Sequence, residues 1–374
     1  MRVLVLPDKF KGTLTAEQAA RAIAQGWRRE RRKDVIEILP TSDGGDGFGA
    51  VMSRLLGAKA VTCTSIDAAH RPHKALSWWE PKSKTAIIET ANIIGLAMLP
   101  PRKFHPFELD TFGIGAVLGA AAKRGAKSCL IGIGGSATND GGFGLARGLG
   151  WTFVDKNGNQ IERWIDLEQL DSIRAPARRP LQAMKIRVAV DVQNRLLGPR
   201  GASRIYGPQK GLRKSDFPLA ESCLGLLARV SRRHFAKDFA RLSGTGAAGG
   251  LGFGLAAFVD AELEPGFELF CQYADLDNRL RKADLVIAGE GAIDHSSFMG
   301  KGAGQISLKC RRMKIPCIGL AGRVNTAPGV AKPFTRLYSL SAITSVEQAL
   351  GRPVFWLNKL AQQAAREWSK AELS

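Results

Sequence analysis

Five segments of this sequence set glycines beside Asp, Glu, Ser, Thr, Asn or Lys, each after a short apolar run. They are Asp8-Lys9-Phe10-Lys11-Gly12, Ser42-Asp43-Gly44-Gly45-Asp46-Gly47, Gly132 to Gly142, Asp191 through Lys210 to Gly211, and Gly289 to Asp294 with Gly300-Lys301 behind it. These residue types suit phosphoryl transfer. Backbone N–H groups of a Gly-rich loop at a helix N-terminus cradle phosphate oxygens. Lysines neutralise the transferring group, and carboxylates hold Mg²⁺ and orient or deprotonate an attacking hydroxyl. Taken singly, each segment has a plain structural reading. Asp43 or Asp46 could cap the next helix, Gly134-Gly135-Ser136 could be a turn with a Ser N-cap, and Glu290 and Asp294 could sit on a solvated loop. Surface turns do not need so many carboxylates beside glycines, and the five together point to a site.

Other chemistries find less support. There is no GxxxxGK[ST] phosphate loop, because Gly302 follows Gly300-Lys301, and the protein-kinase motif set is missing. Gly244-Thr245-Gly246-Ala247-Ala248-Gly249 matches the GxGxxG dinucleotide fingerprint, but His234 to Leu242 before it reads as polar helix where a strand is required. Small residues for close helix packing explain those glycines better. His70 and His73 have no partner at zinc-ligand spacing, and no GxSxG marks a serine hydrolase.

Net charge is +20, from 54 Lys and Arg against 34 Asp and Glu. That balance suits nucleic acid, an anionic membrane surface or small anionic substrates. A solvated surface would give it equally, and the runs Arg28 to Lys33 and Arg311 to Lys314 fall at predicted helix C-termini, where the macrodipole favours positive charge. With aromatics at 7% and no recognised nucleic-acid module, bare charge is the one argument for nucleic acid. The six cysteines are scattered with no CxxC, as in a reducing cytoplasm. The longest uncharged stretch, Leu242 to Val259, carries six glycines and makes a poor membrane span. The expectation is a cytoplasmic protein with no membrane partner, and a homo-oligomer is left open.

Elements must position these segments. Val3–Leu6 reads as a strand; Thr15 and Gln18 have capping-box spacing, and Ala16, Ala19, Ala20, Ile23 and Trp27 share one face of the helix that follows. Val35–Leu39 is a second strand. Near the other end Leu285–Ala288, Pro316–Leu320 and Leu337–Leu340 read as strands around a helix from Gly304 to Met313, and Pro353 kinks or splits a C-terminal helical region. The middle carries strand-like Trp78–Thr90, Lys127–Ile133 and Ile186–Val190, then a polar stretch from Asp155 to Pro180. Alternation of strand and helix predicts a parallel α/β sheet, with ligands beyond the carboxyl ends of its strands. At 374 residues, two domains are expected: residues 1–60 with 285–374, and an inserted α/β domain of 61–284.

Taken in order, the segments resemble the bacterial glycerate kinases of the type that phosphorylates the 2-hydroxyl. Pro7 to Leu14 is similar to that family's PDSFKGSL, Asp43 to Gly47 to its DGGEG, and Ile131 to Gly142 (IGIGGSATNDGG) matches closely. LLGPRG at Leu196 to Gly201, GPQKG at Gly207 to Gly211, GAAGGLGFG at Gly246 to Gly254, and Gly289 to Asp294 with Met299-Gly300-Lys301 follow in the family's order. The resemblance implies an ATP- and Mg²⁺-dependent kinase that makes 2-phosphoglycerate from D-glycerate. It implies two α/β domains, one Rossmann-like, with the active site in the cleft between them. By position Asp8, Lys11, Asp43, Gly134, Gly135, Ser136, Thr138, Asn139, Asp140, Asp191, Glu290, Asp294 and Lys301 face that cleft. We assign the Ser136 loop to anion binding and Lys11 and Lys301 to phosphate or carboxylate charge. Asp191 or Asp294 is the candidate base, and Glu290 or Asp43 the candidate Mg²⁺ ligand.

The chain also departs from the family pattern, in part within these motifs. Lys9 stands for the usual Ser, Asp46 for Glu, and Ala292 for the Arg of GEGRID. Gln193 and Arg195 alter DVDNPLLG, and Ile66 to Pro72 lacks the usual Pro-Leu-Gly. These changes leave the phosphate loops intact and bear on the acceptor. A related 2-hydroxy acid is therefore the second reading, and a catalytically silent, basic, nucleic-acid-binding relative the third.

Overall fold

The computed structural model describes residues 1–298, 302–325 and 329–372. The chain divides into two compact units, Met1–Asp43 with Phe267–Ser374, and Gly44–Gly266. The first unit opens with β1 (Arg2–Pro7), α1 (Ala16–Glu30) and β2 (Val35–Ile38). The second contains α2 (Phe48–Leu56), β3 (Lys59–Ile66), β4 (Pro72–Glu80), β5 (Thr85–Glu89), α3 (Ala91–Ile94), α4 (Phe112–Lys123), β6 (Ser128–Gly132) and α5 (Phe143–Gly148). It continues with β7 (Thr152–Asp155), β8 (Leu170–Arg174), β9 (Lys185–Val190), α6 (Ala202–Lys210), α7 (Phe217–Phe235), α8 (Ala247–Phe258) and β10 (Glu262–Pro265). The chain then passes through α9 (Gly266–Tyr273), α10 (Leu276–Arg281), β11 (Leu285–Ile293) and α11 (Gly302–Arg312). It ends with β12 (Cys317–Val324), β13 (Arg336–Ser339), α12 (Val346–Gly351) and α13 (Pro353–Glu372).

In the first unit five strands lie in the order β13-β12-β11-β1-β2, all parallel. Helix α1 starts where the sequence signals it. Gln18 N donates to Thr15 Oγ1 at 3.2 Å, and Thr15 N to Gln18 Oε1 at 3.0 Å. Its predicted face is buried, Trp27 included, against Leu357, Leu360, Ala361 and Ala364 of α13. Pro353 does split the C-terminal region, standing as the first residue of α13, the helix position that tolerates a missing N–H. Successive strands leave β1 in one direction toward β2 and β11 in the other toward β12 and β13. The carboxyl ends of β1 and β11 therefore form the crevice where a parallel α/β sheet takes its ligand.

The second unit holds a six-stranded sheet, β10-β9-β6-β5-β4-β3, parallel from β10 to β5 and antiparallel at β4 and β3. The single strand-like run expected over Trp78–Thr90 is in fact two strands. Glu80 accepts from Lys82 N and Ser83 N, and Lys84 sits at φ 54°, so the chain reverses there. The polar Asp155–Pro180 stretch likewise hides structure. Trp164, Leu167, Leu170 and Ile173 recur every third residue among charges and pack with Phe143, Phe153 and α7 into a second core. A two-stranded ribbon of β7 and β8 covers it.

The expected α/β architecture, one parallel sheet and one mixed, is thus present. Among the described residues no helix is long and apolar enough to cross a membrane.

Candidate active site

Four carboxylates converge in the first unit. Pro7 pairs with Gly289 across β1 and β11, and Asp8 N donates to Gly289 O at 2.8 Å, so Asp8 emerges beside Glu290. Thr41 N donates to Pro7 O at 2.9 Å, which draws the segment after β2 to the same edge and brings in Asp43. Asp8 and Asp43 are both buried. Glu290 was expected on a loop, but β11 runs on through Gly289-Glu290-Gly291-Ala292-Ile293, paired with Leu320 to Val324 of β12. The glycines permit this, since a Cβ on Gly322 would collide with the Gly291 carbonyl oxygen. Glu290 is therefore fixed by a sheet and not by a mobile loop.

Burial pushes the Glu290 carboxyl up to about 8, and Asp8, Asp294 and Asp43 push it the same way, against a hydrogen bond with Ser297. Its Oε1 is buried and has no donor among the described residues. The N-terminus of α11 adjoins the group: a Cβ on Gly302 would lie 3.5 Å from Glu290 Oε2 and 3.6 Å from Asp8 Oδ2. Asp294 N donates to Ser297 Oγ at 3.2 Å, holding the turn that follows β11. Lys11 is exposed on the loop closed by Phe10 and Leu14, and Lys301 lies outside the described residues.

The second unit assembles the Gly-rich loop. Gly134 packs on Gly45, and Gly134 N donates to Gly44 O at 3.3 Å. Gly135 adopts φ 73° with Asp46 against its backbone, a conformation open to glycine at little cost. Ser136 is not the N-cap of a helix. Its hydroxyl bonds Ala248 O at 3.1 Å and lies 3.3 Å from Thr138 Oγ1. Nor do Asp43 and Asp46 cap α2; Gly47 holds the cap position, and Glu89 accepts from Gly47 N at 2.8 Å and Gly49 N at 2.9 Å.

Thr138, Asn139 and Asp140 are wholly buried. Asp140 accepts from Thr111 N, Thr111 Oγ1, Gly142 N and Gly144 N at 3.0, 2.7, 3.2 and 2.9 Å. Burial, then the Asp110 charge, raise its carboxyl to about 6 despite these donors. Its place is behind the loop, ordering the start of α5. Asn139 Nδ2 donates to Ser203 Oγ at 2.9 Å, and its buried Oδ1 has no donor among the described residues. Asp191 follows β9 directly, half-buried, and together with burial raises the Tyr206 phenol to about 12.

Helix α8 braces this loop. Ala248, Gly249 and Gly250 are all left-handed, at φ 55°, 70° and 86°, and a Cβ on Gly249 would overlap the Thr138 carbonyl oxygen. A Cβ on Gly254 would likewise collide with the Gly142 backbone. The GxGxxG match is thus a close-packing device, with no strand before it.

Two contributors escaped sequence reasoning. Lys210, inside the GPQKG segment, is buried and donates to Thr138 O at 2.6 Å and Ser136 Oγ at 3.2 Å. Its seven-residue spacing from Ser203 puts both on one face of α6, a signal that was there to be read. Thr111, which ties Asp140 to Leu145 N, carried no local signal.

Among the described residues no group of three or more His, Cys, Asp or Glu side chains forms a ready metal cage. A cation that keeps several waters and takes its remaining ligands from phosphates needs only one or two protein carboxylates. Glu290 Oε1, buried among three aspartates and without a donor among the described residues, fits that requirement.

The chain is similar to known proteins over nearly its whole length. Residues 3–369 match the glycerate kinase family. A glycerate kinase of Halalkalibacterium halodurans is 36% identical over 99% of each chain. The Escherichia coli K12 glycerate 2-kinase is 35% identical over 94% of this chain and 92% of its own. The crystal structure of a protein from Salmonella typhimurium LT2, solved as a candidate glycerate kinase 2, superposes with a TM-score of 0.86 at 32% identity, covering all of both chains. The chain belongs to the glycerate kinase family.

Proposed function

We propose that this protein transfers the γ-phosphoryl group of ATP to the 2-hydroxyl of D-glycerate, giving 2-phosphoglycerate and ADP with Mg²⁺ as cofactor. The observation that carries the reading is the carboxylate group at the β1/β11 crevice, where Asp8, Asp43 and Asp294 act on the buried Glu290. Glu290 and Asp43 would hold Mg²⁺, with Asp8 beside them. Bound there, the ion would offset the negative charge of the phosphate groups.

The remaining steps belong to side chains. Asp191 or Asp294 takes the proton of the 2-hydroxyl as its oxygen forms the new bond to phosphorus. The bond from phosphorus to the β–γ bridging oxygen breaks, and ADP leaves with that oxygen. Gly134, Gly135, Ser136, Thr138 and Asn139 offer the anion-binding loop, and Asp140 orders it from behind. Lys11 and Lys301 balance phosphate and carboxylate charge.

Replacing the base removes most turnover, because a positioned base contributes about 10²- to 10⁴-fold. Asp191→Asn and Asp294→Asn, assayed side by side for ADP release, identify which carboxylate it is. The reading falls if the wild-type protein consumes no ATP with D-glycerate or any other 2-hydroxy acid. The absence of an Arg at Ala292 favours the second reading, a related 2-hydroxy acid, since a carboxylate clamp of the bidentate kind is lost there. A panel of such acids, ranked by kcat/KM, separates the two.

A further inference from the structure

Helix α6 grips the Gly134–Asn139 loop from behind at two points two turns apart. Ser203 Oγ accepts from Asn139 Nδ2 at 2.9 Å, and seven residues on, Lys210 Nζ reaches both Thr138 O and Ser136 Oγ. We propose that Lys210 is the positioning residue of this loop, and that its ammonium sets how strongly the loop takes a phosphate or carboxylate group. The proposal rests on the reading above that this loop binds the anionic part of a substrate.

An aliphatic side chain would fill the same volume without any hydrogen bond, so packing alone does not call for lysine. A buried cation is costly unless it is paired and hydrogen-bonded. Here it has two acceptors and one ionised neighbour, Asp140, whose field favours the charged form. Helix α8, which packs on the same loop, brings no ionisable side chain between Ala247 and Phe258. With Lys210 donating into Ser136 Oγ, the serine hydrogen is directed to Ala248 O, 3.1 Å away. The lysine thereby fixes the loop's hydrogen-bond direction as well as its shape.

Burial brings Lys210 down to about 7, so the free protein holds a mixture of ammonium and amine near neutral pH. An anion seated on the loop adds negative charge beside it and favours the ammonium. Anion binding and proton uptake are then coupled, and affinity falls as pH rises through neutrality.

Inorganic sulfate is the probe, because its charge does not change between pH 6 and 9. Titration calorimetry on the wild-type protein in two buffers of different ionisation heat, at pH 7.5, reads proton uptake directly. The expected result is uptake of a fraction of one proton and sulfate affinity at least about 5-fold weaker at pH 8.5 than at pH 6.5. Lys210→Arg keeps the charge and removes the titration, so its affinity changes less than 2-fold over that range. Lys210→Met binds at least about 10-fold more weakly at pH 6.5, while the surface control Lys237→Met behaves as wild type. In turnover, Lys210→Met raises KM for an anionic substrate more than it lowers kcat, which a purely structural defect would not do.

The proposal is overturned if the wild-type protein takes up no proton, or if Lys210→Arg keeps the wild-type pH dependence. Should Lys210→Met not fold, the wild-type calorimetry and the arginine variant still decide. Turnover with an unchanged KM in Lys210→Met would remove this inference and leave the kinase reading standing. Sulfate binding that depends on Lys210 in a protein without ATP turnover would do the reverse.

Discussion

Two buried groups set opposite pH responses at the anion loop. The Asp140 carboxyl is raised to about 6 from a usual value near 3.9, so the folded protein holds a proton there that the unfolded chain has released. Its stabilising contribution is present below the unfolded value and is lost as pH rises through 6. Lys210 is lowered to about 7, and between there and the usual lysine range the unfolded chain holds the extra proton. Stability therefore rises with pH above 7. The pair contributes a stability minimum between pH 6 and 7. Melting temperatures recorded from pH 4 to 9 on wild type and Lys210→Met test this, and the variant should lose the rise above pH 7. Glu290 makes a separate prediction. Mg²⁺ should raise the melting temperature of wild type by about 3 °C, equivalent to roughly 2 kcal/mol for a protein of this size, and leave Glu290→Gln unmoved. An equal shift in both would place the ion elsewhere.

At the level of elements, the loops are held by backbone against backbone, and substitutions there should be expensive. Gly249 is left-handed and abuts the Thr138 carbonyl, so Gly249→Ala should cost about 3 kcal/mol through strain and overpacking. A lowered urea midpoint with an unchanged m-value would register it, and a loss under 1 kcal/mol would contradict the packing described. Thr111→Val leaves Leu145 N without its acceptor and Asp140 without one donor, for an expected loss of about 2 kcal/mol. Some elements were plain in the sequence. The capping box at Thr15, the apolar stripe to Trp27 and the short β1 each carry a local physical signal. Others were not, for identifiable reasons. A reversal without Gly or Asn at Pro81 to Lys84 merged two strands into one reading. Glycines after Ala288 suggested a loop, although the close approach of β12 lets β11 continue to Ile293.

At the level of the whole chain, what the sequence disclosed was the order of its motifs, and what it hid was which side chains face a ligand and which stand behind. Asp140 and Ser136 share one motif with Gly134 and Gly135, yet Asp140 spends its carboxylate on four donors inside the fold. Lys210 lay in plain view within GPQKG, and its helical spacing from Ser203 was the one hint that it turns inward. The +20 charge of the chain is compatible with anionic substrates and asks for no nucleic acid. The account turns on a single reaction, and one assay reaches it. Purified protein, MgATP and D-glycerate are followed by coupled ADP release, and the product is then offered to enolase. The expected result is ADP formation that depends on D-glycerate and on Mg²⁺, with a product enolase consumes directly. ADP without an enolase-competent product would put the phosphoryl group on the wrong hydroxyl, and no ADP from D-glycerate would contradict the assignment of the acceptor.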